Sequence, residues 1–321
     1  MKRNERMLDT WHAYVGYKMD LFERLKQPVA VEGFIAASGL EAGVLRNWVD
    51  AGLVIGHLVR VSDAEIQASP AMVRDFTRSS PTHIGELLTE MLEMHIPSLL
   101  RYPSLLRGEP KPTYAGDAYG HTVASTSALI EQRAVRLVRK WARRWGVKRS
   151  LDVGCGQGGY TLALAEQVGA GGEFVGLDIH QGVIARANLL AQTRGLPQAE
   201  FRCESFEDYV PEANLDLVML NNLLHYYSAE GREQLIAKAA ASLQAGGHLL
   251  LVSPLYLAPS GRRFSVAFHS FLDAHENLHG LPRKADIVAI ADRHGLALVQ
   301  CKPIIREGSW YCLAFEKKQT M

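Results

Sequence analysis

Residues 151–167, LDVGCGQGGYTLALAEQ, place Gly154, Gly156 and Gly158 between a β-prone apolar run and a helical pattern. Side chains at those positions would hold a nucleotide-like ligand away from the backbone and from the helix N-terminus, so the glycines predict a tight strand-to-helix turn. The turn opens an alternation that lasts through the rest of the sequence. Candidate strands are 150–153, 173–177, 200–203, 215–220, 247–253, 297–304 and 310–316, with helical patterns between all but the last two. Such alternation predicts an α/β fold: a Rossmann-like seven-stranded mostly parallel sheet covered on both faces, with the final pair antiparallel.

A glycine turn alone also fits a dinucleotide fold. Two acids narrow the choice. The second strand, EFVGLDIH, ends in Asp178, 20 residues after Gly158, where a carboxylate can accept from both ribose hydroxyls. Asp152 precedes the glycines, where an acid is poor for a pyrophosphate and good for a ligand bearing an ammonium group. The pair favours S-adenosylmethionine over a nicotinamide dinucleotide.

The stretch before the sheet reads differently. Residues 8–27 carry an apolar stripe at helical spacing that stops before Pro28. There follow a short helix, a Ser38-Gly39 break, a second helix at 41–50, and β-prone runs at 54–55 and 58–61. That order is the winged-helix pattern, so the N-terminal domain is expected to be a mainly helical winged-helix module. A DNA reader would show several Arg or Lys on the second helix, whereas this one has Arg46 against Glu41 and Asp50. A packing or dimerising role is the better expectation. A helix at 84–100 broken at Pro97, then a run rich in proline and glycine, place the domain boundary near residue 116: 1–116 as helical dimerisation domain and linker, 117–321 as the ligand-binding domain.

Formal charge is +1, from 35 basic and 34 acidic residues, so no global field draws a polyanion. The basic cluster at 133–149 falls opposite Ala134, Leu137, Val138 and Trp141, as on the solvated face of an amphipathic helix. Nucleic acid is not an expected partner. No segment nears the roughly 20 apolar residues of a membrane span, and the N-terminus lacks the apolar core of a signal peptide, so the expected location is cytoplasmic without a membrane partner. Cys155, Cys203, Cys301 and Cys312 form no CxxC pair, which predicts reduced thiols.

DVGCGQG, the GLD that follows, and LQAGGHLLLVSP resemble the class I S-adenosylmethionine-dependent methyltransferases. With the winged-helix segment, the whole chain resembles the dimeric small-molecule O-methyltransferases of phenylpropanoid and natural-product pathways. The resemblance implies a homodimer paired through the N-terminal domain and methyl transfer to a hydroxyl of a small, aromatic or natural-product acceptor. It implies adenine contact by the loop after the third strand, Glu204 and Ser205, with Glu204 where the family more often has Asp. Asn221 matches a cofactor-contacting position. His225 matches the family's general base, although Tyr226-Tyr227 follow it where the family has Asp-Trp. In FSVAFHSFLDAHENLHG the family's helix lines the acceptor pocket, and Glu276 is the expected acid that orients the catalytic histidine. His275 and His279, four apart, also permit a metal pair on one helix face, but no metal is expected. Tyr114 and Tyr119 are candidates for a lid, and Cys155 for a small buried filler. Alternatives remain open at this stage: an N- or C-methyltransferase, a cofactor-binding protein without methyl transfer, and a small-molecule-sensing regulator.

Overall fold

The computed structural model describes residues 5–114, 120–306 and 308–318. The chain forms two compact units, Met1–Met94 and His95–Met321.

In the first unit, the stripe expected to make one helix makes two, α1 (Glu5–Lys18) and α2 (Leu21–Arg24), because Asp20 adopts a left-handed conformation at φ 53°. Strand β1 (Val29–Ala30) leads into α3 (Val31–Ala37) and α4 (Ala42–Ile55). Glu41 caps α4, its carboxylate accepting from the Gly43 and Val44 amides at 3.1 and 2.6 Å. The β-prone pair at 54–55 is the last turn of α4, which runs on to a left-handed Gly56, so the strands that follow are β2 (Leu58–Arg60) and β3 (Glu65–Ala68). These pair antiparallel, with β3 in the centre of a β1-β3-β2 sheet. Helices α5 (Pro70–Phe76) and α6 (Gly85–Glu90) complete the unit, and a π-helical turn, Met91–His95, carries the chain onward.

The core of this unit is organised around a clamp between α1 and α4. His12 is fully buried, stacks on Trp48 at 4.2 Å, and its Nε2 donates to the Trp48 carbonyl at 3.0 Å. Trp48 returns the bond through Nε1 to the His12 carbonyl at 3.2 Å. The ring fits because position 52 is glycine, where a Cβ would lie 2.4 Å from His12 Nε2. His57 Nδ1 lies 3.1 Å from His12 Nδ1, so one imidazole donates to the other, and the accepting ring is neutral.

The second unit begins with α7 (Ile96–Leu99), α8 (Tyr102–Leu105) and the long α9 (Gly120–Trp145). The proline- and glycine-rich run expected to mark the boundary lies in this unit, where Thr113 and Tyr114 bond to Glu276 and Asn277. The alternation then follows: β4 (Arg149–Val153), α10 (Gly159–Val168), β5 (Glu173–Asp178), α11 (Gln181–Thr193), β6 (Ala199–Cys203), β7 (Leu215–Asn221), α12 (Ala229–Ser242) and β8 (Leu243–Pro254). After α13 (Arg262–Asp273) and α14 (Lys284–Arg293) come β9 (Leu296–Ile305) and β10 (Trp310–Lys317). The seven strands stand in the order β6-β5-β4-β7-β8-β10-β9, with β10 antiparallel to both neighbours and the other pairs parallel. Asp216 pins the centre: its carboxylate accepts from the Lys148 and Arg149 amides at 2.7 and 2.8 Å and from Gln244 Nε2 at 2.7 Å. Strands β7 and β8 are buried on both faces, as their near-continuous apolar sequences require. The chain winds outward from β4 to β6 and returns at β7, so the order reverses between β4 and β7 and leaves a crevice at their C-terminal ends. Among the described residues no helix is long and apolar enough to cross a membrane.

The His12–His57 pair has a measurable pH signature. Burial, reinforced by His57, lowers the His12 pKa from 6.5 to about 4. The unfolded chain therefore binds more protons than the folded one between those values, and stability present above about pH 6.5 is lost as the pH falls toward 4. Thermal unfolding of the first unit, followed through tryptophan fluorescence, is expected to show a falling midpoint across that window. His12→Phe should lose much of this slope, though its stability at neutral pH will be lower.

Candidate active site

Asp152 is the deepest charged group of the crevice. It lies on β4, is fully buried, and accepts from Thr161 Oγ1 at 3.1 Å and from Asn221 Nδ2 at 3.4 Å. Burial pushes its carboxyl up to about 7; Glu131 and Asp178 add to the rise, and the bonds from Thr161 and Asn221 oppose it. The glycine turn follows at once. Gly158 holds φ +79° at the N-cap of α10 and packs so closely on Phe201 that a Cβ would lie 2.3 Å from the ring. Gly156, at φ +54°, has nothing within 4 Å of its absent Cβ, so its outer side is open to a ligand.

Asp178, at the end of β5, fastens this turn. One carboxylate oxygen accepts from the Gly156 amide at 3.0 Å, the other from the His180 amide at 2.9 Å. Each oxygen keeps a second lone pair for a hydroxyl donor. Glu204 lies beside it, its amide donating to the Asp178 carbonyl at 3.0 Å. Ser205 begins the next turn, with its hydroxyl accepting from the Glu207 amide at 3.1 Å. Asn221 ends β7; it is 8% exposed, and its Oδ1 is buried without a partner. The expected cofactor residues Asp152, Gly154, Gly156, Gly158, Asp178, Glu204, Ser205 and Asn221 thus lie at the C-terminal ends of β4, β5, β6 and β7, along one edge of the sheet.

Four residues beyond Asn221, a 3-10 turn, Leu224–Tyr226, carries His225. Its Nδ1 is buried without a hydrogen bond, and burial, then the Arg232 guanidinium, lower its pKa to about 3. Its ring lies 4.3 Å from Tyr226 and 5.9 Å from Phe268. Phe268 belongs to an aromatic group with Phe264, Phe271, His95 and Trp310; Phe264 and Trp310 are 5.3 Å apart, and His95 stacks on Phe268 at 4.8 Å. Trp310 is held by its Nε1, which donates to Asn222 Oδ1 at 2.8 Å.

The structure does not bring Glu276 to His225. Helix α13 ends at Asp273, and the turn after it points His275 inward, where its Nδ1 donates to the Phe271 carbonyl at 2.8 Å. Glu276, next in sequence, is therefore exposed, and its carboxylate accepts from the Thr113 hydroxyl. His279 donates its backbone amide to the His225 carbonyl at 2.9 Å, and among the described residues no three metal-ligating side chains gather. Tyr114 packs edge-on against Phe271 and His275, while Tyr119 lies outside the described residues. Cys155 is buried in the glycine turn, and its thiol pKa is raised by burial.

Sequence reasoning missed Trp310, His95 and Arg232. The first two reach the aromatic group through tertiary packing, which no local pattern announces. Arg232 donates to the carbonyls of Leu224 and Gly280, so it braces the turn that carries His225. For α13 the family resemblance implied a pocket-lining helix without singling out Phe264, Phe268 and Phe271, which recur along it at helical spacing.

Residues 151–247 match the family model described as a methyltransferase domain. This part of the chain is a methyltransferase domain. Outside the match, the whole architecture has solved counterparts. An O-methyltransferase family protein from Burkholderia thailandensis aligns with 100% of this chain and 97% of its own at 18% identity and a TM-score of 0.71. Human N-acetylserotonin methyltransferase, solved with S-adenosylmethionine, aligns with 99% of this chain and 96% of its own at 16% identity and the same TM-score, 0.71. At such identities the likeness shows the fold. Among curated relatives, aklanonic acid methyltransferase of Streptomyces sp. (strain C5) is 34% identical over 113 residues, 35% of this chain. The chain spans half of that relative's length and less of the next ones matched.

The methyltransferase domain makes a pH-dependent prediction. A ligand ammonium placed beside Asp152 favours its ionised form, so binding expels the proton that a carboxyl titrating near 7 still partly holds. Calorimetry of S-adenosylhomocysteine in buffers of different ionisation enthalpy should show proton release at about pH 6 and little at about pH 8, with affinity rising between them.

Proposed function

We propose that this protein is an S-adenosylmethionine-dependent methyltransferase acting on a hydroxyl of a small, flat aromatic or natural-product acceptor. The observation that carries the reading is the four-residue span from Asn221, whose amide donates to Asp152 and leaves its oxygen buried without a partner among the described residues, to His225, whose ring lies against Phe268. Its cofactor is S-adenosyl-L-methionine, and the donor set fits. Asp152 offers a buried acid to the ammonium, Asp178 offers lone pairs to the ribose hydroxyls, and the open side of Gly156 admits the chain between them. Glu204 and Ser205 stand at the expected adenine edge. When bound, the group supplies a methyl already activated on a sulfonium centre, so the protein's contribution is alignment and proton removal.

Phe264, Phe268 and Trp310 clamp the acceptor ring, and His225 takes the hydroxyl proton. With the methyl given up and the electron pair kept by sulfur, the newly methylated acceptor oxygen would become strongly acidic and His225 would face an easily removed proton. A weak base then suffices. This matters because no carboxylate raises the basicity of His225; burial and Arg232 both lower it. The same observation favours a second reading, transfer to an amine nitrogen, which needs no base in the transfer step.

Residues 1–116 serve as a dimerisation domain and linker and 117–321 as the catalytic domain, so the working form is a cytoplasmic homodimer in secondary metabolism. Nucleic acid is not its partner: Arg46, the one cation of the recognition-helix position, is held in a two-pronged pair by Glu32 at 2.6 and 2.8 Å.

Titration of S-adenosylmethionine and S-adenosylhomocysteine into wild type and Asp178→Asn tests the cofactor. Binding in about the micromolar range that the substitution weakens supports the reading, and well-folded wild type without affinity defeats it. His225→Ala separates the two acceptor classes. On a hydroxyl acceptor kcat should fall by about 10²–10⁴, whereas an amine acceptor should lose less than about tenfold.

A further inference from the structure

We propose that Glu131, on α9, is a second anionic ligand for the cofactor's α-ammonium group, acting beside Asp152; this rests on S-adenosylmethionine being the cofactor. Glu131 lies outside the strand-end edge that holds the other binding residues, and nothing in the glycine motif points to it. Its carboxylate rests on the first residue of α10. A Cβ at Gly159 would come within 1.8 Å of Glu131 Oε1 and 2.3 Å of Oε2, so both oxygens occupy the space that glycine leaves free. Among the described residues no hydrogen bond reaches this carboxylate, and it is half-buried. An acid that merely capped α10 would accept from its first-turn amides, and Glu131 accepts from none.

The surroundings leave this charge uncompensated. Asp152 accepts from Thr161 and Glu131 lies against Gly159, so both carboxylates border the first turn of α10, and the charge of Glu131 helps to raise the pKa of Asp152 and of Tyr160. Burial raises the pKa of Glu131 itself, opposed by Arg194, which is exposed and paired with Glu166 at 3.0 Å. A separate observation stands at Asp152 itself: Asn221, with a buried Oδ1 that has no partner among the described residues, donates to the other oxygen of Asp152 than Thr161 does. Two poorly solvated acids and one orphaned acceptor around a glycine turn match a group with three N–H donors and one positive charge. A primary ammonium has that form.

The test compares S-adenosylhomocysteine with methylthioadenosine, which shares its nucleoside and thioether but lacks the amino-acid part. Both are titrated calorimetrically into full-length wild type and Glu131→Gln, and the unfolding midpoint of each ligand-free protein is measured. The expected result is an S-adenosylhomocysteine affinity at least about tenfold weaker in the variant, with methylthioadenosine changed by less than about twofold. The ligand-free midpoint should hold or rise, because the substitution removes a charge repelled by Asp152. A helix-capping residue would instead lower the midpoint and leave the ratio of the two affinities unchanged, and an unchanged ratio overturns the proposal. Equal weakening of both ligands overturns it as well. If Glu131→Gln does not fold, Glu131→Asp, which retracts the carboxylate by one methylene, is expected to weaken S-adenosylhomocysteine selectively, and equal affinity for it overturns the proposal. Wild type that binds neither ligand overturns the cofactor assignment together with this proposal, whereas an unchanged ratio overturns this proposal alone.

Discussion

A buried carboxylate holds together the three elements on which the crevice depends. Asp152 is next to last in β4, is bonded by Thr161 from α10, and is bonded by Asn221 from β7. A charged group in that position is costly, and the rise of its pKa to about 7 reflects the cost. The gain is positional. With α10 and β7 tied to one atom group, the glycine turn cannot drift from the strand whose continuation carries His225. Asp178 does the same on the other side, spending one lone pair of each oxygen on backbone amides and keeping one of each free.

This arrangement explains which features were legible in the sequence. The seven strands were readable because β7 and β8 carry the apolar runs Leu217–Leu220 and Leu249–Val252 and the helices between strands carry the other period. The glycine turn was readable because φ values of +54° and +79° at Gly156 and Gly158 exclude ordinary side chains. In the first unit the same reasoning misplaced a strand at 54–55. Val54 and Ile55 are β-prone residues, but α4 had no stop signal before Gly56, and the helix ran through them. The break at Asp20 was equally hidden, since an aspartate in a left-handed conformation leaves the apolar spacing on either side intact.

The acceptor side was less legible for a physical reason. Its residues come from α13, the 3-10 turn at 224–226, the segment after Met94, and β10, four stretches far apart in sequence. The family resemblance pointed to α13, but nothing local marks Trp310 as a neighbour of its phenylalanines. Glu276 shows the converse error. The family resemblance implied an orienting acid here, yet the turn after α13 buries Ala274, His275 and Leu278 and leaves Glu276 exposed, bonded to Thr113.

The place of β10 in the sheet bears on the order in which the two halves of the crevice can be made. Strands β4 to β7, with Asp152, Asp178, Glu204 and Asn221, are contiguous in sequence and pair parallel with one another or through β4, so synthesis delivers them together. Trp310 sits at the start of β10, which follows every other strand in chain order yet inserts between β8 and β9. The indole that braces Asn222 and backs Phe264 therefore leaves the ribosome after every residue of the glycine turn. Because β10 is at once the inner strand between β8 and β9 and the carrier of that indole, a change in this last strand reaches the sheet and the aromatic group together.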